Sequence, residues 1–410
     1  MKTNPIAILG IPLDNLTMEE TIESIFSMIE EYFTDKRPRQ ICTVNTDFVA
    51  NTLPWNLSKT RHPELLDILR KADLVTADGM PLVWISRFIG VPLKNRVTGA
   101  DLVPELAREA SLRHKSIYFL GGKGNVAIQA AQALKKLYPD LIIAGCDSPF
   151  VHIEGEPFLD ALESDFPIVE RINASGADIL LIAFGNPKQE LWFERNRHRL
   201  KVPVSIGIGG TFEFIAGKVA RAPIWMQRNG MEWIFRLIQD PRRLWKRYLI
   251  DLIEIGLLIW PGIIYYQYKK AFSNKWLADK TNGDTRSSII SEIDTGVYIV
   301  SMPKVLDAAS SNDIINMITS PSIKRSSLVL DLNNVIMIDS SGIGLLSRLC
   351  SHADMKFEDV YMIGLTPSLQ RFFSYNRILN LYKHMIYNNT DEVLRVILQR
   401  PNHSPLNSIN

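Results

Sequence analysis

Five apolar runs of the sequence are each followed directly by a short polar group. The residues in these groups could take part in acid–base chemistry or bind phosphate. The groups are NTD (45–47), DG (78–79), GGKGN (121–125), GNPKQE (185–190) and GGTFE (209–213). Each group alone has the composition of an ordinary turn. Five of them, each at the end of an apolar run, predict a ligand site at the edge where those runs end.

Asp78 is the candidate catalytic residue of this set, because it comes directly after the apolar run 74–77 and before Gly79. A carboxylate there can remove a proton from an attacking hydroxyl, which accelerates a transfer by roughly a hundredfold to ten-thousandfold. The spacing fits equally well with an aspartate that caps the next helix.

Gly121 and Gly122 begin a glycine run whose backbone N–H groups could hold a diphosphate or a ribose oxygen. The run is neither a Gly-x-Gly-x-x-Gly nor a Walker motif, so a plain turn is an equal alternative. The first 270 residues contain no Asp-x-Asp pair and no His/Asp cluster with metal-ligand spacing. We therefore expect no metal cofactor, and a diphosphate would be met by Arg, Lys or backbone amides.

The elements that must position these residues are strands alternating with amphipathic helices. Strands are predicted at residues 40–44, 74–77, 116–120, 141–144, 178–183 and 204–208. Helical patterns lie around most of them, at residues 19–32, 65–71, 126–137 and 167–174. Strands with helices between them indicate an α/β fold with a mainly parallel sheet that is covered on both faces.

Length and composition describe a globular chain of several domains. It has 410 residues, 46% of them hydrophobic, and a net charge of +2, which disfavours binding to nucleic acid through bulk charge. The polar stretch 272–288 predicts a linker. Three widely separated cysteines fit a reducing cytoplasm, and we see no signal-peptide pattern at the N-terminus.

Residues 218–271 combine positive charge with aromatic and apolar side chains. Eight basic and two acidic residues lie between Lys218 and Arg247, and the apolar run 255–266 is interrupted by Pro261-Gly262. We expect this run to be too short for a spanning helix and the stretch to bind a membrane surface. A buried amphipathic helix and a nucleic-acid patch are the alternatives.

The polar groups and the basic stretch described above belong to a part of the chain that resembles the WecG/TagA/CpsF group, glycosyltransferase family 26. The resemblance covers roughly residues 5–250 and rests on ordered blocks that include TVNTDFVA, ADGMPLVW, RVTGADLV, YFLGGKGNVA, FGNPKQELW and GIGGTFEFIAGKVARAPIW. It implies a Rossmann-like domain that transfers a sugar from a UDP-sugar to a polyprenyl-diphosphate-linked sugar, with inversion and without a metal ion, at the cytoplasmic face of a bacterial membrane.

The resemblance also implies roles for single residues. Asp78 matches the general base, and Glu213 stands where the family usually has an aspartate near the nucleoside. The expected substrate-binding residues are Thr43, Asn45, Arg96, Gln189, Gly121, Gly122, Asn186, Lys188 and Glu213. The residues expected to meet the lipid diphosphate at the membrane are Arg236, Arg243, Lys246 and Arg247.

The last part of the chain resembles a STAS domain, the fold of anti-sigma-factor antagonists, through the segment SSLVLDLNNVIMIDSSGIGLLSRL. Ser340 stands at the position that this family phosphorylates. A phosphate there would add about −1.5 to −2 charge to a docking surface. A simple N-cap is the alternative role for Ser340.

The sequence therefore predicts a glycosyltransferase core at residues 1–217, a membrane appendage at 218–271, a linker at 272–288, a STAS domain at 289–400 and a tail at 401–410. We expect a UDP-sugar-dependent hexosyltransferase in surface polysaccharide synthesis, with N-acetylmannosamine or a related hexose as the donor sugar and polyprenyl-diphosphate-linked N-acetylglucosamine as the acceptor. The expected partners are the membrane surface and a STAS-binding kinase or regulator, with no nucleic acid. The alternatives are an inactive transferase-fold scaffold and a UDP-sugar-sensing regulator.

Overall fold

A computed structural model of the chain describes residues 5–52, 54–55, 59–60, 62–151, 157–280, 287–294, 296–320, 326–351 and 357–399. Its elements up to residue 239 are β1 (Pro5–Ile8), β2 (Ile11–Asp14), α1 (Met18–Asp35), β3 (Arg39–Val44), α2 (Thr46–Thr52), β4 (Pro54–Trp55), β5 (Lys59–Thr60), α3 (Pro63–Lys71), β6 (Leu74–Ala77), α4 (Met80–Phe88), α5 (Gly99–Leu112), β7 (Ser116–Gly121), α6 (Val126–Leu137), β8 (Ile142–Asp147), α7 (Pro157–Ser175), β9 (Ile179–Ala183), α8 (Lys188–Asn196), β10 (Val204–Gly207), α9 (Thr211–Ile215), α10 (Ile224–Arg228) and α11 (Glu232–Gln239).

The elements that follow are α12 (Pro241–Lys280), β11 (Ile289–Asp294), β12 (Val297–Ser301), β13 (Val305–Leu306), α13 (Ala308–Ile318), β14 (Ser326–Asp331), β15 (Met337–Ile338), α14 (Ser340–Cys350), β16 (Phe357–Ile363), α15 (Pro367–Tyr375), α16 (Leu379–Tyr382), a 3-10 turn (Lys383–Met385), β17 (Ile386–Tyr387) and α17 (Thr390–Leu398). The predicted tail, residues 401–410, lies outside the described residues.

The chain divides into two units, and we describe each by itself. One unit, here called the transferase unit, consists of residues 13–87 and 92–256. The other, here called the STAS unit, consists of residues 1–12, 88–91 and 257–410. The division differs from the predicted domain boundaries, because the first twelve residues and residues 257–271 group with the C-terminal part of the chain.

The transferase unit is built around one parallel sheet of six strands in the order β6-β3-β10-β9-β7-β8. All six predicted strands are present in it, so the predicted α/β class is confirmed. Five of them (β3, β6, β7, β9 and β10) are completely buried strands of 4–6 residues. Their apolar runs follow from this burial, since a parallel sheet is covered by helices on both faces.

Helix α1 shows how one of the covering helices is specified. Thr17 caps its N-terminus, because the Thr17 side chain accepts from the Glu20 N–H while the Glu20 carboxylate accepts from the Thr17 N–H. Ile22, Ile25 and Ile29 recur at helical spacing and are buried in the sheet's core. The helix therefore begins at a sequence signal and packs through one apolar face.

The STAS unit contains a five-stranded sheet in the order β11-β12-β14-β16-β17, which is parallel except for the β11–β12 pair. Helix α14 follows strand β15, and its N-cap is Asp339, whose carboxylate accepts from the N–H groups of Ser341 and Gly342. The alternative role of Ser340 as the N-cap is therefore wrong. Ser340 is the first residue inside the helix.

Helix α12 departs from the sequence prediction in three ways. Pro261 lies inside the helix rather than ending it, so the helix is 40 residues long. By length and composition alone, its stretch Leu244–Ala271 could cross a membrane, contrary to the expectation of a run too short to span. The helix also continues through residues 272–280 of the predicted linker, and residues 281–286 lie outside the described part of the chain.

Candidate active site

A polar cavity of about 690 Å³ opens at the carboxyl ends of four strands in the transferase unit. Residues that follow β3, β6, β9 and β10 line it, as expected for the edge of a parallel sheet where strand ends meet. The predicted site residues that line this cavity are Thr43, Asn45, Asp78, Asn186, Gln189, Glu213 and Arg236. The structure thus brings together seven residues that span 194 positions of the sequence, from Thr43 to Arg236.

Asp78 stands half-buried at the end of β6, where its N–H donates to the Val44 carbonyl oxygen at 2.7 Å and extends the strand pairing by one residue. Burial raises the pKa of the Asp78 carboxyl to about 7, although the positive charges of Arg236 and Arg96 oppose the shift. The following helix begins only at Met80. A carboxyl that titrates near neutral pH inside a cavity suits a general base better than a helix cap.

Thr43, Asn45 and Gln189 hold the cavity wall through their own hydrogen bonds. Thr43 Oγ1 donates to the Gly207 carbonyl oxygen at 2.8 Å, which ties β3 to β10. Asn45 Oδ1 accepts from the N–H of Asp47 at 3.0 Å and thereby starts α2. Gln189 Oε1 accepts from the Gly209 N–H at 3.0 Å. These residues fix the positions of the loops that a substrate would contact.

Glu190 lies behind Gln189 and is completely buried. Its Oε1 accepts from Gln189 Nε2 at 2.8 Å, so Glu190 sets the orientation of the Gln189 amide. Burial raises the pKa of the Glu190 carboxyl to about 8, against the lowering by the hydrogen bond from Gln189. Sequence reasoning missed this residue, although it ends the GNPKQE group.

Gly121, Gly122 and Lys188 were predicted to bind substrate, but the structure does not place them on the lining of the cavity. The N–H of Gly122 donates to the Ala183 carbonyl oxygen at 3.1 Å. A Cβ added to Gly122 would lie 3.5 Å from the Val126 side chain and 3.7 Å from that of Phe212. The glycine turn is therefore packed against the protein, and neither it nor the exposed Lys188 is among the residues that line the cavity.

An ion-pair network beside the cavity is organised by Glu232, which is 7% exposed. Glu232 Oε2 lies 3.2 Å from Arg96 Nη1, and Glu232 Oε1 lies 3.0 Å from Arg236 Nη2. Asp101 joins the network through Arg221, at 2.7 Å. Burial alone would raise the pKa of the Asp101 carboxyl, but Arg221, Thr98 and Arg96 together lower it below its ordinary value. The network holds two of the predicted diphosphate-binding arginines, Arg96 and Arg236, next to Asp78.

The structure describes the side chains of two of the four predicted lipid-diphosphate residues, Arg236 and Lys246. Arg236 lines the cavity, and its guanidinium lies 4.9 Å from the centre of the Phe214 ring. Lys246 is exposed on α12. The side chains of Arg243 and Arg247 lie outside the described part of the structure. Ser340 belongs to the STAS unit.

Helix α12 presents an exposed apolar stripe. The side chains in it recur every three or four residues, and each is 47–71% exposed; they are Trp245, Leu249, Ile253, Leu257, Trp260, Ile264 and Tyr268. The buried positions Ile255, Ile259 and Ile263 recur at the same spacing on another side of the helix. One face of α12 is therefore buried, as the alternative of a buried amphipathic helix predicts. The face that carries the stripe is apolar and exposed.

Among the described residues, no group of three or more His, Cys, Asp or Glu side chains is arranged to hold a metal ion. The charged residues that line the cavity are the basic residues Lys218 and Arg236 and the acidic residues Asp47, Asp78, Glu213 and Asp240.

Comparison with known proteins gives two matches that together span most of the chain. Residues 6–267 match the glycosyl transferase WecG/TagA/CpsF family, and residues 288–393 match the STAS domain. The chain thus carries a STAS domain, and both predicted resemblances are confirmed.

Two similar proteins are each described as an N-acetylglucosaminyldiphosphoundecaprenol N-acetyl-beta-D-mannosaminyltransferase. The one from Bacillus spizizenii is 30% identical over 250 residues, which cover 61% of this chain and 88% of the relative. The one from Staphylococcus aureus is 30% identical over 269 residues, which cover 66% of this chain and 94% of the relative. A solved structure of the murine anion transporter Slc26a9 is 16% identical, with a TM-score of 0.24, over 46% of this chain and 33% of that one, and supports no inference.

Proposed function

The chain belongs to the WecG/TagA/CpsF family of glycosyl transferases, and on that premise we propose that it moves a sugar from a UDP-sugar to a polyprenyl-diphosphate-linked N-acetylglucosamine. The donor sugar we infer is N-acetylmannosamine or a related hexose, in line with the names of its relatives. The observation that carries the proposal is the carboxyl of Asp78, which titrates near neutral pH inside a cavity lined by Thr43, Asn45 and Gln189.

In the proposed reaction, Asp78 takes the proton from the attacking hydroxyl of the acceptor sugar. The hydroxyl oxygen then forms a bond to the anomeric carbon of the donor while the bond from that carbon to UDP breaks on the opposite side, so the configuration inverts. A pKa of about 7 makes Asp78 basic enough to accept the proton and leaves half of the carboxyl groups ionised at that pH.

The departing diphosphate gains negative charge, and positive groups close to the cavity can stabilise it. Arg236 and Lys218 line the cavity, and Arg96 is held 3.2 Å from Glu232 next to them. Arginine can bind a diphosphate through two parallel hydrogen bonds, which strengthen as charge develops on the leaving oxygen. We propose that these residues do the work that a divalent ion does in other sugar transferases.

A UDP-release assay tests the proposal directly. The full chain is incubated with a panel of UDP-sugars and a lipid-diphosphate-linked N-acetylglucosamine acceptor, with Asp78→Asn as the inactive control. We expect UDP to be released only when both substrates are present. Binding of a UDP-sugar without turnover would favour a sensor of UDP-sugars, and neither binding nor turnover would favour an inactive scaffold.

We also propose that the protein works at the inner face of the cell membrane and binds it peripherally. The support is the exposed stripe of α12 together with the basic residues around it, since apolar and cationic side chains on one helix suit an anionic lipid surface. Ile255, Ile259 and Ile263 are buried on another side of the helix, which favours a helix that lies on the membrane over one that crosses it.

Vesicle sedimentation tests the membrane proposal. Vesicles with anionic lipid should bind the chain in a salt-sensitive way, with about 1 kcal/mol for each basic residue near the surface. Leu257→Ser combined with Ile264→Ser should weaken binding at least about tenfold, because each side chain loses roughly 1.5–3 kcal/mol of burial in lipid. Phe33→Ser, which changes an exposed aromatic residue on α1, is the matched control. Equal binding to neutral and anionic vesicles would count against the role of the basic residues.

For the STAS domain we propose binding of a regulatory protein, most simply a kinase that phosphorylates Ser340. The support is the position of Ser340 as the first residue of α14. Phosphopeptide mapping of the chain from growing cells, with Ser340→Ala as the control, tests it. Absence of phosphate at this position through all growth phases would leave only constitutive partner binding.

A further inference from the structure

Strand β1 packs on helix α14 within the STAS unit. All four residues of β1 are buried, and so are all eleven residues of α14. Ala7 belongs to the same apolar core as Leu306, Leu345 and Leu346. The residues that match the STAS domain begin at position 288, and β1 forms no part of its five-stranded sheet. The domain therefore has its own strands, and β1 is an addition from a distant part of the chain.

Two residues of α14 make this close packing possible. Ser340 Oγ donates a hydrogen bond to the Ala7 carbonyl oxygen at 2.6 Å. At Gly344, an added Cβ would lie 2.6 Å from the carbonyl carbon of Pro5 and 3.1 Å from the Cα of Ile6. Such distances require the backbone of β1 to move, so the contact depends on a glycine at this position.

The surroundings of Ser340 leave no room for a larger group while β1 is bound. The cavity beside Ser340 has a volume of about 20 Å³, which is enough for about one water molecule. The N–H groups of Ser341 and Gly342, which would attract an anion at a helix start, already donate to the Asp339 carboxylate. An anion on Ser340 would also face the Ala7 carbonyl oxygen, which is an acceptor. A modified Ser340 and a bound β1 therefore exclude each other.

We propose that the face of α14 that carries Ser340 is a binding surface for an extended segment, and that its resident ligand is the chain's own β1. This segment must leave before Ser340 can be modified or a partner protein can use the face. β1 lies outside the domain's five-stranded sheet and pairs with the short strand β2. The five-stranded sheet keeps its own hydrogen bonds when β1 leaves α14, so β1 can open locally while the domain stays folded. The proposal does not depend on the transferase reaction.

Alkylation of a cysteine at position 340 measures whether the site is covered. In full-length Ser340→Cys, the thiolate would displace iodide from iodoacetamide and form a thioether. Trypsin cleavage after Arg325 and Arg348 places this cysteine in a peptide without Cys350, so its rate can be followed by mass spectrometry. We expect Gly344→Ala to increase the rate of Ser340→Cys at least about tenfold, because it forces β1 open.

Gly262→Ala is the matched control, since it also adds a methyl group to a helical glycine but meets nothing closer than 3.9 Å. It should leave the alkylation rate unchanged. Rapid alkylation of Ser340→Cys without the second substitution would overturn the proposal, because the face would already be open. An equal, slow rate with and without Gly344→Ala would overturn it too, because β1 would not be the cover.

Hydrogen exchange shows whether the domain stays folded in these variants. We expect Gly344→Ala and Ser340→Asp to speed exchange in residues 5–9 while the core strand Ser326–Asp331 keeps its protection. Ser374→Asp, an exposed position on α15, controls for the added charge. Loss of protection in Ser326–Asp331 would overturn the proposal, because β1 would then be an integral part of the fold.

Discussion

Replacing Asp78 by asparagine separates its charge from its shape. Asparagine keeps the size of the side chain and removes the carboxylate that accepts the proton. General-base catalysis contributes about a hundredfold to ten-thousandfold, so we expect kcat/KM to fall by that factor, a loss of roughly 3–5 kcal/mol of transition-state stabilisation. Binding of UDP should stay close to that of the parent chain.

The raised pKa of Asp78 also predicts how kcat/KM depends on pH. With a pKa of about 7, roughly a tenth of the carboxyl groups are ionised at pH 6 and roughly nine tenths at pH 8. The base works only when ionised, so kcat/KM of the parent chain should rise nearly tenfold between these pH values. The residual activity of Asp78→Asn should be flat over the same range. UDP release measures both profiles.

Stability distinguishes a lost base from a damaged fold. The folded-state pKa of Asp78 is raised above its unfolded value, so the ionised carboxylate destabilises the fold increasingly as the pH rises from about 4 to 7. Asp78→Asn removes this cost and should have an equal or higher melting temperature at pH 8. Asp47→Asn removes a carboxylate that lines the same cavity and should keep the inflection near pH 7. If Asp78→Asn stays within tenfold of the parent at pH 8, the assignment of the base is wrong.

Three further outcomes test other parts of the site. Glu190→Gln should stabilise the fold by about 1–3 kcal/mol at pH 9 but little at pH 4, because the raised pKa of Glu190 makes its ionisation favour the unfolded state as the pH rises; denaturant titration at both pH values measures this. Glu232→Gln should raise KM for the UDP-sugar about tenfold with a smaller change in kcat, because Arg96 and Arg236 lose their common anchor; unchanged steady-state kinetics would remove Glu232 from that role. EDTA should leave the rate of UDP release unchanged, and a loss that added Mg²⁺ restores would contradict the metal-free reaction.

The sheet edge was predictable because parallel strands bring their carboxyl ends to the same side. Apolar runs located β3, β6, β9 and β10, and four of the five polar groups behind such runs meet at the cavity. The fifth group, at Gly121 and Gly122, packs against Val126 and Phe212 instead. A ligand-binding loop and a plain turn can have the same glycine-rich sequence, so only the packing around Gly121 and Gly122 distinguishes between them.

Other features depend on contacts between residues far apart in the sequence. Glu232 and Arg96 are 136 positions apart. In the sequence, Glu232 is one of two acidic residues that lower the net charge of a basic stretch, and nothing there indicates that it pairs with Arg96. The helix through Pro261 was missed because proline usually ends a helix, whereas α12 continues through it, with Ile259 and Ile263 buried on either side in the sequence. Strand β1 was missed because four apolar residues carry no periodicity that would identify their partner.

The network around Glu232 also constrains how the sequence can change during evolution. Removing one member of a buried ion pair leaves its partner unpaired, which typically costs 3–5 kcal/mol and rivals the total stability of many domains. Loss of Glu232 takes the common anchor from Arg96 and Arg236, so a substitution at Glu232 is tolerable mainly when both of the pairs that it forms with these arginines change in the same lineage. Among relatives of this chain, these pairs should covary, and a chimera that joins residues 1–217 of one relative to the appendage of another should work only when both halves come from lineages with matching charges.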